Sequence, residues 1–178
     1  MKLIFIRHGD YNPKTEKLTL LGKFQIASIR KYLENEKVDF ILSSPKARAL
    51  EGAKILNKKW DVPLYISKDL REREILVTDN KVLQEDYQKN YFDMTNENEN
   101  YETCKQFIER TIKGIKEAVC HNKEAETFVV MAHSSNLYAI SAMINGIPKD
   151  HKIKWLQCNT GACIKFYIDK KSFLTSIE

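Results

Sequence analysis

Leu3-Ile4-Phe5-Ile6-Arg7-His8-Gly9 is a short apolar run that ends abruptly in an arginine, a histidine and a glycine. Four consecutive apolar residues between polar neighbours are typical of a strand that is buried on both faces. In sheets of parallel strands, ligands bind at the carboxyl ends of the strands. The segment therefore predicts an N-terminal strand that delivers Arg7 and His8 to a functional edge of a sheet.

Four later segments have the same short, apolar character, and helical patterns lie between them. The predicted strands are Phe40–Leu42, Leu64–Ile66, Phe128–Met131 and Cys163–Ile168, and the predicted helices cover about 19–33, 45–57, 82–91, 101–119 and 134–144. Strands that alternate with helices predict an α/β fold of three layers, with a mainly parallel central sheet and helices on both faces.

The organisation of the chain is predicted to be simple. No repeat or Pro/Gly/Ser-rich linker divides it, so residues 1–178 are interpreted as a single domain, with a small lid at 75–100. Ser44-Pro45 is predicted to begin the second helix, with Ser44 as its cap. Trp60 and Trp155 are interpreted as packing residues.

The composition excludes several classes of protein. The chain has 178 residues, of which 43% are hydrophobic and 30% charged, as in ordinary globular proteins. Its 29 basic and 24 acidic residues give a net charge of +5, with no basic cluster that would predict nucleic-acid binding. Neither a membrane span nor a signal peptide is evident, which predicts a cytoplasmic protein without membrane or nucleic-acid partners.

The cysteines give no indication of a metal site. Cys104, Cys120, Cys158 and Cys163 form no Cys-x-x-Cys pair, so reduced, mostly buried thiols are expected. His8, Asp10 and His133 could in principle bind a metal, but two arginines beside them would repel a cation. We therefore predict neither a metal ion nor a cofactor.

Polar side chains follow each of the first four predicted strands. Because carboxyl ends of parallel strands share one edge of a sheet, these side chains are expected to gather there. The set comprises Arg7, His8 and Gly9, then Ser43, Ser44 and Arg48, then Glu72 and Glu74, and finally His133, Ser134 and Ser135.

This set of residue types suits phosphoryl transfer. Two arginines match the oxygens of a phosphate and remain charged at every working pH. A neutral imidazole is a nucleophile near pH 7, and a carboxylic acid can protonate the leaving oxygen. The residues together indicate transfer through a phosphohistidine.

Several motifs resemble those of the histidine phosphatase superfamily, the phosphoglycerate mutase-like proteins, in order and spacing. Arg7-His8-Gly9 follows the first strand, and Ala132-His133 follows a later one. The other motifs are Leu18-Thr19-Leu20-Leu21-Gly22-Lys23-Phe24-Gln25, Ser43-Ser44-Pro45-Lys46-Ala47-Arg48-Ala49, Leu70-Arg71-Glu72 and Asn159-Thr160-Gly161. Together the motifs extend over nearly the whole chain.

The resemblance implies a role for each site residue. His8 would be the nucleophile, Arg7, Arg48 and His133 would form the phosphate pocket, and Glu72 would be the proton donor and later the base. Gly9 would let the backbone hold the ring of His8. Further expected members of the pocket are Tyr11, Asn12 and Ser134, the last of which replaces the family's usual glycine.

The resemblance implies a metal-independent histidine acid-type phosphomonoesterase that acts on a phosphorylated small molecule or a phosphoprotein. Two other functions remain open: mutase-type phosphoryl transfer, and a module that binds phosphate or phosphopeptide without turnover. The acid is assigned to Glu72, with Glu74 as the alternative. The natural substrate and the oligomeric state are not predicted.

Overall fold

A computed structural model describes residues 1–73, 80–151 and 158–175 of the chain. The alternative acid Glu74, the indole of Trp155 and the first residues of the predicted lid lie outside the described residues.

In the described part of the chain, five strands form one sheet in the order β3-β2-β4-β1-β5. Strands β1 to β4 pair with one another in parallel, whereas β5 runs antiparallel to β1. The mainly parallel sheet is confirmed, and each predicted strand is present. The strands are β1 Lys2–Arg7, β2 Phe40–Ser43, β3 Leu64–Ile66, β4 Thr127–Ala132 and β5 Cys163–Tyr167.

Helices cover both faces of this sheet. On one face, Ile4 and Ile6 of β1 pack in a core with Ile26 of α1; on the other, Leu3 packs with Ile115 of α4. Alternate residues of β1 thus enter two different cores, as the pleat of a strand requires. The three-layer α/β fold is confirmed. The helices are α1 Leu20–Tyr32, α2 Ala47–Trp60, α3 Lys81–Lys89, α4 Cys104–His121, α5 Ser134–Asn145 and α6 Lys170–Thr175, with a single 3-10 turn at Lys68–Leu70.

The second helix begins later than predicted. Its first residue is Ala47, and Lys46 occupies the cap position without a side-chain cap bond. The prediction of Ser44 as the cap is wrong: the Ser44 hydroxyl accepts from the amide of Lys46 at 3.3 Å, before the helix begins, and it lies 2.8 Å from Nε2 of His133. A buried imidazole nitrogen needs a hydrogen-bond partner, and Ser44 provides it.

The segment between α3 and α4 packs against α4 and α5. Met94 shares a small core with Phe107 of α4 and Tyr138 of α5. The buried guanidinium of Arg73 lies over the rings of Tyr87 and Tyr91, at 4.7 and 4.5 Å from their centroids. The interpretation of 75–100 as a lid stays a prediction.

The cysteines and Trp60 agree with what the sequence predicts. All four cysteines are free. Trp60 packs against the core that contains Ile4 and Ile26, as expected of a packing residue. Over the described ranges, no helix has both the length and the apolar character needed to cross a bilayer.

Candidate active site

The carboxyl ends of β1 and β4 bring two histidines together. Arg7 pairs with Ala132 in the parallel register, and the His8 amide donates to the Ala132 carbonyl at 3.0 Å. The next residue after each strand is therefore a histidine, and the rings of His8 and His133 lie 5.1 Å apart. Both are almost completely buried, with exposed fractions of 1% and 0%.

The ring of His8 is held in one orientation by its neighbour. Its Nδ1 lies 2.8 Å from the carbonyl oxygen of Gly9, which can only accept a hydrogen bond. Nδ1 therefore carries the proton, and the lone pair is on Nε2. Burial lowers the pKa of His8 to about 4, with the positive charges of Arg48 and Arg7 acting in the same direction. At neutral pH the ring is therefore uncharged, with its lone pair on Nε2.

Arg48, in the first turn of α2, contacts His8 and two carboxylates of the site. Its Nε lies 3.1 Å from Nε2 of His8, and its Nη2 lies 2.7 Å from a carboxylate oxygen of Glu72. Nη1 contacts the carboxylate of Glu16, and the guanidinium lies 4.5 Å from the ring centroid of Tyr11. A buried, permanently charged group thus links His8 to two carboxylates.

Arg7, at the end of β1, has a buried N–H donor that is not paired with a protein acceptor in the described structure. One of its terminal nitrogens donates to the carbonyl of Cys158. Its Nε is buried and has no hydrogen-bond partner among the described residues. A buried N–H group without an acceptor is rare in proteins, so this donor is suited to an oxygen of a bound anion.

His133 is neutral and faces the carboxylate of Glu72. Its Nε2 lies 2.8 Å from the Ser44 hydroxyl, and its Nδ1 lies 3.7 Å from the nearer oxygen of Glu72. Burial holds the pKa of His133 well below its usual range, and the nearby His8 and Arg48 lower it further. Nδ1 has no hydrogen-bond partner in the described structure.

Glu72 is positioned by a residue of α4 that the sequence analysis missed. Arg110 donates from Nη1 to the carbonyls of Asp69 and Arg71, at 2.6 and 3.0 Å, and so fixes the segment that leads into Glu72. Arg110 is itself paired with Glu102, 2.8 Å from its Nη2. In the sequence, an arginine on a charged helix looks like a solvent-exposed residue, so no signal identified it.

The residues of the Leu-Thr-x-x-Gly-x-x-Gln motif support the loop after β1. The Thr19 hydroxyl caps α1 by accepting from the Gly22 amide at 3.0 Å, and it donates to the Asp10 carboxylate at 2.5 Å. Gln25 accepts from the Asp10 amide at 2.7 Å. A Cβ on Gly9 would lie 2.4 Å from the Gly22 carbonyl oxygen, so the loop can approach α1 this closely only without side chains.

The predicted site residues differ in how close they lie to His8. The structure brings Arg7, Arg48, Glu72 and His133 around it. Asn12 is exposed, and its side-chain oxygen accepts from the Lys14 amide at 2.8 Å. The Ser134 hydroxyl lies 3.8 Å from the Cys158 sulfur. Asn12 and Ser134 as substrate-binding residues stay predictions.

One carboxylate at this site was not anticipated. Glu16 lies in the loop 11–18 and contacts Arg48, but it stands in none of the motifs. The strand-end rule could not identify it, because Glu16 lies nine residues after the end of β1. The loop is closed by a backbone bridge between Tyr11 and Leu18, and the Leu18 amide donates to Glu51 of α2; only this fold of the loop brings Glu16 to the site.

Comparison with known proteins identifies the family to which this fold belongs. The family model described as the histidine phosphatase superfamily (branch 1) matches residues 3–177. The chain belongs to this superfamily. No curated protein sequence matches the chain significantly.

Solved structures, among them two named as phosphatases, share the fold at low sequence identity. A mycobacterial glucosyl-3-phosphoglycerate phosphatase in complex with VO3 is 18% identical with a TM-score of 0.76, and the match covers 92% of this chain and 90% of that one. YhfR of Bacillus stearothermophilus is 21% identical with a TM-score of 0.77, over 94% and 91%. The alpha-ribazole phosphatase of Shigella flexneri is 20% identical with a TM-score of 0.69, over 96% and 92%.

Proposed function

We propose that the protein is a metal-independent phosphatase that hydrolyses a phosphate monoester through a phosphohistidine on His8. The observation that carries the proposal is the orientation of His8: its Nδ1 is bound to Gly9, and its Nε2 lies 3.1 Å from Nε of Arg48. A nucleophilic lone pair beside a permanent cation suits attack on an anionic phosphoryl group. The similarity to phosphatases that act on phosphorylated small molecules supports a substrate of that kind.

In the first step, the lone pair on Nε2 of His8 forms a bond to phosphorus while the bond from phosphorus to the ester oxygen breaks. Glu72, in its carboxylic acid form, gives its proton to that oxygen, which leaves as an alcohol. The guanidinium groups of Arg7 and Arg48 neutralise the charge on the phosphoryl oxygens. His133 would provide a further hydrogen bond to them.

In the second step, Glu72 is a carboxylate and accepts a proton from a water molecule. The water oxygen attacks phosphorus, the bond from phosphorus to Nε2 breaks, and its electron pair returns to the ring of His8. Inorganic phosphate is released, and the carboxylic acid form of Glu72 is restored. Atoms and charges balance without a metal ion or a cofactor.

The test is hydrolysis of p-nitrophenyl phosphate in excess chelator, with wild type compared with His8→Ala. We expect the wild type to retain its activity and His8→Ala to have none. A matched control is His121→Ala, because His121 is an exposed histidine outside this site. Loss of wild-type activity on chelation, or steady-state turnover by His8→Ala, would contradict the proposal.

A further inference from the structure

The contact between Glu16 and Arg48 has no role in the two steps above. Arg48 has five N–H groups on three nitrogens, and each nitrogen already contacts one protein group: His8 at Nε, Glu72 at Nη2 and Glu16 at Nη1. A phosphoryl group on Nε2 of His8 needs donors from this same guanidinium. The two carboxylates neutralise the charge of Arg48 and repel an anion bound beside them, so phosphate binding is favoured when one carboxylate leaves.

Glu16 is the group that can leave most easily. Its side chain is 43% exposed, against 33% for Glu72, so its carboxylate regains water with little rearrangement. Glu72 also lies 3.7 Å from Nδ1 of His133, a second contact near Arg48 that Glu16 lacks in the described structure. A single side-chain rotation removes Glu16 from the pocket.

The loop that carries Glu16 stays in place during such a rotation. The amide of Leu18 donates to the carboxylate of Glu51 on α2 at 2.9 Å, and the Glu16 amide donates to the Asn12 carbonyl at 2.8 Å. The backbone of Glu16 has a φ of 60°, in the left-handed region that non-glycine residues seldom adopt. The loop thus holds the carboxylate of Glu16 over Arg48 at some conformational cost.

We infer that Glu16 is a displaceable competitor of phosphate: its carboxylate occupies Arg48 where an oxygen of the substrate will bind, and it sets the affinity of the pocket for phosphate esters. This inference rests on the proposed function for the identity of the ligand. Anions bind only to the fraction of molecules in which Glu16 has left Arg48, so the apparent dissociation constant is the intrinsic one divided by that fraction.

Competition of this kind has a distinctive signature. Every anion that uses Arg48 must displace the same carboxylate, so removal of Glu16 tightens the binding of each by the same factor. A partly exposed ion pair corresponds to a factor of about two to five in the dissociation constant. Catalysis itself is unaffected, because Glu16 takes no part in the transfer of protons or of the phosphoryl group.

The experiment is titration calorimetry of inorganic phosphate and of sulfate at pH 7, with wild type, Glu16→Gln and Glu16→Gly. Glutamine keeps the shape of the side chain without its charge, and glycine accepts the φ of 60° without strain. The control is Glu34→Gln, which makes the same change in net charge at an exposed position just beyond the end of α1. Thermal unfolding confirms that each variant is folded.

We expect both Glu16 variants to bind phosphate and sulfate about two- to fivefold more tightly, by a similar factor for the two anions, and Glu34→Gln to match wild type. With p-nitrophenyl phosphate, KM should fall by the same factor and kcat should stay within twofold. Unchanged or weaker anion binding would overturn the inference, and so would a tenfold loss of kcat. If the wild type binds phosphate but does not hydrolyse esters, the proposed function fails while the calorimetric result still decides the role of Glu16.

Discussion

Nε of Arg48 lies 3.1 Å from Nε2 of His8, so a permanently charged donor faces the nitrogen that we propose as the nucleophile. Arginine keeps its protons in proteins, and Nε2 must therefore be the acceptor in this contact. The carbonyl of Gly9, 2.8 Å from Nδ1, independently requires the proton to be on the other ring nitrogen. Two contacts on opposite sides of the ring thus specify one tautomer.

We expect Arg48→Lys to lower kcat/KM by about two to three orders of magnitude, the usual loss when one charge-stabilising donor is removed. A lysine keeps the charge but has neither the Nε contact to His8 nor the fork that reaches Glu72. The measurement is steady-state hydrolysis of p-nitrophenyl phosphate. The control is Arg30→Lys on α1, which should behave as wild type. Activity close to wild type in Arg48→Lys would show that charge alone suffices.

The proton donor is tested by the dependence of the rate on the leaving group. Glu72→Gln should reduce kcat most for phosphoserine, whose alkoxide is a poor leaving group, and least for p-nitrophenyl phosphate, whose phenolate leaves without a proton. The comparison is made in parallel with Glu74→Gln, and Glu124→Gln, at an exposed position, controls for the lost charge. The same pattern in Glu74→Gln, and not in Glu72→Gln, would reassign the acid.

The buried histidines make stability depend on pH. The pKa of His8 is about 4 in the folded protein and about 6.5 in an unfolded chain, so the unfolded chain binds more protons between these values. The free energy of unfolding should therefore fall as the pH is lowered from 6.5 towards 4, by up to about 1.4 kcal/mol per pH unit for this group. His133, whose pKa is also lowered, contributes with the same sign.

This dependence is measured by urea unfolding at several pH values for wild type and His8→Asn. The variant should have a shallower pH dependence than wild type, because one of the two buried histidines is gone. His121→Asn, at an exposed position, provides the control and should keep the wild-type slope. Identical slopes for His8→Asn and wild type would mean that His8 is not held neutral by the fold.

Two glycines in helices should differ greatly in how much their replacement by alanine changes the free energy of unfolding. A Cβ on Gly22 would lie 1.9 Å from the Asp10 carbonyl oxygen, a backbone atom that cannot move without shifting the loop. We expect Gly22→Ala to destabilise the protein by at least about 3 kcal/mol and to reduce activity. A Cβ on Gly52 would meet the flexible end of the Met131 side chain at 3.2 Å and Ile26 at an ordinary contact distance of 3.6 Å.

Gly52→Ala should therefore change stability by no more than about 1 kcal/mol, since alanine is the better helix former. Chemical denaturation of both variants and of wild type measures the difference. If Gly22→Ala were as stable as wild type, the close approach of the loop to α1 would not be a requirement of the fold.

Much of the fold could be predicted from local patterns. The strand pattern at Leu3–Ile6 and its later counterparts predicted the sheet, because a buried parallel strand has to be apolar on both faces. The strand-end rule then brought His8 and His133 to one edge. The start of α2 was missed, because Ser44-Pro45 looks locally like a cap. Its hydroxyl instead meets His133, 89 residues away in the chain.

The amino-acid sequence by itself determined the order of the elements, the α/β class and the residue types at the carboxyl ends of the strands. These depend on periodicity and on neighbours within a few positions. Only the tertiary structure decided that Glu16 and Glu72 share Arg48, and that Arg110 positions the segment before Glu72. Such contacts join residues 24 to 41 positions apart, and no local pattern encodes which charged side chain a given arginine will meet.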